Sequence, residues 1–236
     1  MAKTYITAMT RIRIIASIII GKMLILLARL LRRGGSSMPG KVALRIAPGL
    51  LRTLAGRIEG GVVAVTATNG KTTTTRMLAG LVRHAGRPVV TNASGANMAG
   101  GIVSAMIEAA SLLGRFPKQA LAIIEVDEGS IPAVLPKLLP GVLLVGNFFR
   151  DQLDRYGELE TIAGRWQEMV DSHPGTMVLL NADDPLVADL GRDRVPGESV
   201  CFYGVEDRSV ARTGLAHAAD AKHCRRCGAP YRYDAV

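Results

Sequence analysis

One stretch of the sequence constrains this chain more than any other: residues 62–75, where a run of β-branched and small residues leads into a Gly-Lys-Thr turn. The apolar run favours a buried strand, and the residues that follow the turn fit a helix. In such a strand–turn–helix unit, Gly70 lets the backbone approach a phosphate, Lys71 can reach the terminal phosphates, and the Thr72 hydroxyl can ligate Mg²⁺. The free N–H groups and positive end of the helix strengthen the anion site. The stretch therefore predicts a binding loop for a nucleoside triphosphate.

The match to the usual phosphate-loop pattern is incomplete. That pattern, G-x-x-x-x-G-K-[ST], requires a glycine where this chain has Val65. A Gly-Lys-Thr triplet also occurs by chance, so an ordinary strand-to-helix turn with threonine caps is the competing interpretation. The preceding strand, the following helix and four consecutive threonines at 72–75 favour the phosphate loop.

Short apolar runs alternate with helical patterns along much of the chain. Strands are predicted at 88–91, 120–126, 141–147 and 176–181, and helices at 73–85, 101–114 and 161–172. Near-continuous apolar strands that alternate with helices predict an α/β fold with a mostly parallel sheet and helices on both faces. Ligands of such sheets bind beyond the carboxyl ends of the strands. The strand ends here carry acids and amides, namely Glu125, Asp127, Glu128, Asn147, Asn181, Asp183 and Asp184.

The positive charge of the chain is concentrated at its N-terminus. The net charge is +9, and residues 1–60 contain eleven Lys or Arg against one acid, Glu59. A basic and apolar N-terminus suggests an anionic membrane surface rather than nucleic acid as the partner. The aromatic content of 4% also argues against stacking platforms for single-stranded nucleic acid.

The apolar part of this N-terminal segment is short. Arg13 and Arg29 bracket about fifteen residues, fewer than the roughly twenty that a membrane span needs, and Lys22 interrupts them. Basic residues at 29–33 follow where a signal peptide would have a small-residue cleavage site. A packing helix, a helix on the membrane surface and a true span all remain open. Residues 34–40 predict a flexible break after this helix.

The cysteines indicate a reducing compartment. Three cysteines without a secretion signal fit a cytosolic protein. Cys224 and Cys227 form a Cys-x-x-Cys pair, for which two free thiols, a redox pair and a zinc knuckle are alternatives.

Several blocks together resemble a known family. They are 66–73 (TATNGKTT), 91–98 (TNASGANM), 125–128 (EVDE), 147–156 (NFFRDQLDRY) and 181–185 (NADDP). They resemble the Mur ligase superfamily, and within it the MurT family of ligase subunits of lipid II isoglutaminyl synthase. The resemblance covers most of residues 40–236 and implies three parts. These are a basic N-terminal helix and linker at 1–40, a P-loop-type Mur ligase central domain at 41–215, and the first half of a zinc-ribbon insert at 216–236.

The resemblance also implies an activity. Such a subunit uses ATP and Mg²⁺ to activate the D-glutamate carboxylate of the lipid II stem peptide as an acyl-phosphate. Ammonia from a GatD-type glutaminase partner then gives D-isoglutamine. The implied location is the cytoplasm, with peripheral contact to the inner face of the membrane as a further option. The alternative is another Mur-type ligase that adds an amino acid, or a folylpolyglutamate synthase-like enzyme. Gln152 stands where many Mur ligases have a metal-binding histidine, which favours the amidating branch.

The site residues implied by the resemblance fall into three groups. The expected nucleotide contacts are Thr68, Asn69, Gly70, Lys71, Thr72, Thr73, Asn97, Asn181 and Asp184. The expected Mg²⁺ ligands are Thr72 and Glu125, and Cys224 with Cys227 would supply half of a four-cysteine Zn²⁺ site. The catalytic aspartate is expected beyond Val236, in a C-terminal domain that contacts the glutaminase. We therefore expect an N-terminal fragment that cannot amidate alone.

One loop position departs from the family. Ala67 replaces a glycine, and if that position needs a positive φ, alanine would strain the loop by about 1 kcal/mol or more.

Overall fold

A computed structural model describes residues 8–31, 37–92, 96–148, 159–207, 209, 224 and 227–230. The chain forms two compact units. The first unit comprises residues 1–65 and 72–141, and the second comprises residues 66–71 and 142–236.

The first unit combines a parallel sheet with helices. Its strands are β1 (Val62–Thr66), β2 (Val89–Val90) and β3 (Leu121–Glu125). Its helices are α1 (Ala8–Leu30), α2 (Met38–Ile46), α3 (Leu50–Ala55), α4 (Lys71–His84), α5 (Ala99–Ala109) and α6 (Ile131–Leu138), with a short 3₁₀ turn at Glu128–Ser130. The strand order is β2-β3-β1, and both pairings are parallel. The apolar runs of β1 and β3 are mostly buried, as strands covered on both sides should be.

The N-terminal helix α1 packs on this unit through one side. Ile14, Ser17 and Ile18 are buried there. The Arg13 guanidinium donates to the Ile46 carbonyl oxygen at the end of α2, with an Nη2–O distance of 2.8 Å. The packing interpretation of the N-terminal segment is therefore correct for the inner side of α1. No helix in the described part of the chain is both long enough and apolar enough to cross a bilayer.

Helices α2 and α5 approach each other through small residues. A Cβ placed on Gly40 would lie 1.9 Å from the Gly100 carbonyl oxygen. Ser104 Oγ accepts the Gly40 N–H at 2.8 Å and donates to the Gly100 carbonyl oxygen at 3.0 Å. Ser104 thus satisfies a backbone donor in the first turn of α2 and ties the two helices together.

The second unit also contains parallel strands. Its elements are β4 (Val142–Val145), α7 (Leu159–Asp171), β5 (Met177–Asn181), α8 (Pro185–Asp189) and β6 (Val200–Tyr203). The strand order is β4-β5-β6, with both pairings parallel. Trp166 of α7 is fully buried and makes an edge-to-face contact with Phe148, with ring centroids 4.5 Å apart.

The predicted fold class, α/β with parallel strands, is confirmed, although several boundaries differ. The break predicted at 34–40 is wrong for Met38–Gly40, which form the first turn of α2, and residues 34–36 lie outside the described residues. The helix predicted at 101–114 ends at Ala109, because Ala110 is extended with ψ 155° and Gly114 turns the chain with φ +73°. Of the predicted zinc-ribbon half, only residues 224 and 227–230 lie within the described residues.

Candidate nucleotide and metal site

The predicted phosphate loop follows β1 and belongs to the second unit. Gly70 has φ +83°, in the left-handed region that glycine adopts without strain. The Thr68 N–H donates to the Asn147 carbonyl oxygen at 2.8 Å, and the Asn69 N–H donates to Asn147 Oδ1 at 2.9 Å. Asn147 therefore holds two consecutive loop amides. The sequence identified it only as a polar strand end, and no pattern within the loop pointed to this role.

Ala67 does not strain the loop. The described non-glycine residues with positive φ are Gln119 and Leu139, and Ala67 is not among them. Its methyl group instead depends on a neighbouring glycine, since a Cβ placed on Gly146 would lie 2.7 Å from Ala67 Cβ. The loop thus accommodates alanine because residue 146 has no side chain.

The Lys71 ammonium lies within the loop. It is largely buried, and Nζ donates to the carbonyl oxygens of Ala67 and, at 3.0 Å, of Thr68. These bonds hold a positive charge at the position where the sequence predicts phosphates to bind. Thr73, which is also predicted to contact the nucleotide, is exposed on α4.

In the first unit, the predicted magnesium ligands are brought together. Thr72 Oγ1 donates to Glu125 Oε2 at 2.9 Å, and Asn97 Nδ2 donates to Glu125 Oε1 at 3.1 Å. The Glu125 side chain, at the carboxyl end of β3, is almost fully buried. Both donors to its carboxylate are neutral, and a buried carboxylate is stabilised far more by a cation than by neutral donors alone. Hydroxyl and carboxylate oxygens are the ligand types that Mg²⁺ takes, so these residues fit the ion.

Asn92 positions this acid, although the sequence placed it only within the block 91–98 and did not predict it as a site residue. Its Oδ1 accepts the Glu125 N–H at 2.9 Å, and its Nδ2 donates to the carbonyl oxygens of Glu125 at 2.8 Å and Ala96 at 3.0 Å. The Asp127 N–H in turn donates to the Asn97 carbonyl oxygen at 3.0 Å. The backbone on both sides of Glu125 is therefore held by asparagines, although the sequence marked only Asn97 as a site residue.

The two predicted contacts to the nucleotide base lie after β5 in the second unit. Asp184 Oδ1 caps α8 by accepting the N–H groups of Leu186 at 3.0 Å and Val187 at 3.3 Å. Its Oδ2 accepts the Phe148 N–H at 2.7 Å, and Asn181 Oδ1 accepts the Asp183 N–H at 3.0 Å. Both side chains thus order the backbone at this strand end, and their contact with a base stays a prediction.

The two cysteines predicted to bind zinc both lie within the described residues. The Cys224 N–H donates to the Ala229 carbonyl oxygen at 2.8 Å, and the Gly228 N–H donates to the Cys224 carbonyl oxygen at 2.9 Å. Both thiols are free. A tetrahedral zinc site needs four ligands, and within the described residues no group of three or more metal-binding side chains is found. These residues alone therefore do not fit a complete zinc site. The block after Phe148, including Gln152, lies outside the described residues.

The chain is similar in sequence to one family model and to several known proteins. A family model, the Mur ligase middle domain, matches residues 65–227. The chain is 34% identical over 209 residues to the lipid II isoglutaminyl synthase subunit MurT of Staphylococcus aureus (strain COL), covering 89% of this chain and 45% of that protein. It is 40% identical over 152 residues to the MurT subunit of Streptococcus pneumoniae (strain ATCC BAA-255 / R6), covering 64% of this chain and 33% of that protein.

A solved structure shares the fold. MurF from Acinetobacter baumannii matches 69% of this chain and 34% of its own chain, with a TM-score of 0.51 and 20% identity. The chain spans about 45% of the length of the first MurT relative. Since the family model covers residues 65–227, well over half of the chain, and the predicted loop lies within that range, this chain belongs to the Mur ligase family through its middle domain.

Proposed function

We propose that this chain is the ATP-binding part of a Mur-type ligase that amidates the D-glutamate carboxylate of the lipid II stem peptide. The observation that carries the proposal is the buried Glu125 carboxylate, bonded by Thr72 and Asn97. Thr72 directly follows Lys71, the cation of the phosphate loop. The similarity to two MurT subunits supports the choice of substrate.

Each residue has a physical role in this proposal. When bound, ATP supplies the phosphoryl group that activates a carboxylate as an acyl-phosphate, and Mg²⁺ screens its charge. Lys71 donates to phosphate oxygens and lowers the repulsion between the attacking carboxylate and the phosphates. Thr72 and Glu125 offer oxygen ligands to the ion, and Asn97 keeps the carboxylate of Glu125 oriented. The loop residues Thr68, Asn69, Gly70 and Thr73 contact phosphates, and Asn181 and Asp184 lie near the base.

The partner and location are part of the same proposal. The names of the MurT relatives include lipid II and glutamine hydrolysis. We therefore assign ammonia from a GatD-type glutaminase subunit as the nucleophile. The inner face of the membrane is the place of action, with the basic segment 1–40 in peripheral contact with lipid, and residues 41–215 form the ATP-binding domain.

Zinc remains a proposal that needs further ligands. Cys224 and Cys227 have the Cys-x-x-Cys spacing of a zinc knuckle and can supply two thiolates of a tetrahedral site. Two more ligands must come from outside the described residues. Zinc analysis of the full-length protein, compared with a Cys224→Ser variant, tests this assignment: an unchanged metal content contradicts it.

The product distinguishes amidation from the alternative, addition of an amino acid. The full-length protein is incubated with a GatD-type subunit, glutamine, ATP, Mg²⁺ and lipid II, and the stem peptide is analysed by mass spectrometry. We expect conversion of the D-glutamate carboxylate to the amide, and a loss of at least about a hundredfold in the Lys71→Ala variant. An amino acid adduct in place of the amide would support the second candidate instead.

A further inference from the structure

The outward side of α1 is apolar along its whole length. Successive helical residues are rotated by about 100°, so residues spaced by three and four share a face. The residues opposite the packed side form an outer stripe, defined as Met9, Ile12, Ile19, Met23, Leu27 and Leu30. Their exposed fractions lie between 39% and 73%. Single exposed apolar side chains are ordinary, but six of them on one helix face over roughly 30 Å indicate an interaction surface.

Cations flank the outer stripe on both sides. Arg13 borders it on one side, where its guanidinium reaches the end of α2. Lys22 and Arg29 border it on the other, where Lys22 Nζ donates to the Glu108 carbonyl oxygen at 3.2 Å and Arg29 pairs with the Glu108 carboxylate. The charged groups therefore lie between the stripe and the body of the first unit. A helix that rests in a membrane interface has this arrangement, with apolar residues toward the acyl chains and cations at the level of the phosphates.

A cleft with excess positive charge opens beside the N-terminal half of α1. Its cavity of about 790 Å³ is lined by four cations, one acid and three apolar side chains. The charged residues define the basic cleft: Arg11, Arg57, Glu59, Arg115 and Lys118.

The cations of the basic cleft lack enough acid to balance them. Arg57 is fixed by the carbonyl oxygens of Leu113 at 3.0 Å and Gly114 at 3.2 Å, so it is held close to the other cations. Burial, and then repulsion by Arg11 and Arg115, lower the pKa of Arg57. Like charges held together in this way favour the binding of an anion. The apolar side chains of the cleft suit the glycerol ester region that lies next to a lipid phosphate.

We propose that the first unit docks on an anionic phospholipid bilayer, with the outer stripe among the upper acyl chains and lipid phosphates in the basic cleft. Charge complementarity selects this occupant, since residues 1–60 carry eleven basic side chains and a single acid. Docking deepens the proposed function, on which it rests, because it places the ATP-binding part at the surface that holds a lipid-linked substrate. It uses residues that the nucleotide site does not use.

Vesicle flotation without ATP tests the docking surface. The probes are vesicles of phosphatidylcholine alone and of phosphatidylcholine with phosphatidylglycerol. The protein is expected to float with the anionic vesicles and to remain with the soluble fraction when only the neutral vesicles are present. Raising the NaCl concentration from about 0.1 M to about 0.5 M should weaken binding, because salt screens the attraction between the cations of the basic cleft and the lipid phosphates.

Two sets of variants separate the stripe from the cleft. We expect Met23→Gln/Leu27→Gln to reduce the partition coefficient by about tenfold or more, since both side chains leave water on docking. Arg115→Ala/Lys118→Ala should give a similar loss on anionic vesicles. The matched controls are Met77→Gln/Leu81→Gln, which are exposed apolar residues of α4, and Arg83→Ala/Lys137→Ala. Both controls should bind as the unchanged protein does.

Several outcomes overturn the proposal. Equal binding to neutral and anionic vesicles contradicts the role of the cleft, and controls that lose binding contradict the location of the surface. If light scattering shows a dimer that Met23→Gln/Leu27→Gln converts to a monomer, and no vesicle binding occurs, a second copy covers the stripe. ATP binding measured on the same variants should stay unchanged. If the unchanged protein binds anionic vesicles but does not bind ATP, that result contradicts the proposed function and not the docking surface.

Discussion

At the residue scale, the loop depends on a contact between two positions far apart in sequence. The Ala67 methyl group occupies space that exists only because residue 146 is glycine. Ala67 stands where the family has a glycine, and its methyl group is accommodated beside Gly146. Two alanines cannot occupy these positions together without a shift.

Exchanging the two residues tests this dependence. Gly146→Ala should lower the free energy of unfolding by about 1–3 kcal/mol through overpacking against Ala67. In Ala67→Gly/Gly146→Ala, the new methyl group has room, so the double variant should be more stable than the sum of the single changes predicts. Urea unfolding of the four proteins measures the coupling. Gly175→Ala is the control, because its Cβ would meet nothing within 4 Å; purely additive effects would refute the contact.

Asn147 offers a second test at this scale. Its side chain accepts the Asn69 N–H, so Asn147→Ala removes one of the two bonds by which this residue holds the loop. We expect ATP affinity to fall about 3- to 10-fold, the cost of one net hydrogen bond, while the melting temperature changes little. Calorimetric titration and thermal unfolding measure the two quantities. An unchanged affinity would mean that the loop is ordered without this bond.

At the scale of the elements, the approach of α2 to α5 depends on glycine. Gly40→Ala places a Cβ against the backbone of Gly100, which cannot move without shifting the helix. We expect a loss of about 2 kcal/mol or more in the free energy of unfolding. Gly49→Ala is the matched control, since its Cβ would meet no atom within 4 Å. Equal stabilities of the two variants would contradict the close crossing.

The long apolar elements could be predicted from sequence, and those formed in a special context could not. β1 and β3–β5 are apolar runs bounded by turns, so periodicity and length were sufficient. α6 was missed because it contains Pro132 and Pro136, which usually interrupt helices, although Pro132 stands near the start where its missing N–H is tolerated. β6 was missed because only Val200 of its residues is buried, as befits a strand at the end of the strand order.

Only part of the candidate site could be predicted from the sequence. The Gly-Lys-Thr turn and Glu125 followed from local patterns and the family resemblance. Asn92 was not predicted as a site residue, and Asn147 was seen only as a polar strand end, because their roles depend on backbone groups 33 and 78 residues away, respectively. Contacts between residues so far apart cannot be inferred from a short stretch of sequence.

At the scale of the whole molecule, we propose that this member of the Mur ligase family binds ATP together with Mg²⁺. In this proposal Lys71 of the loop contacts the phosphates, and Glu125 at the end of β3 is a ligand of the ion. Glu125→Gln keeps the shape and the donors around residue 125 but removes the charge that a metal ion needs. Glu108→Gln, which changes an exposed glutamate of α5, is the matched control.

Calorimetric titration of the protein with ATP, with and without Mg²⁺, measures whether Glu125 couples the binding of the ion to that of the nucleotide. We expect Mg²⁺ to tighten ATP binding by about tenfold or more in the unchanged protein and in Glu108→Gln. Glu125→Gln should bind ATP with the same affinity whether or not Mg²⁺ is present. A full Mg²⁺ dependence in Glu125→Gln, or no ATP binding by the unchanged protein, would contradict the proposed role of Glu125.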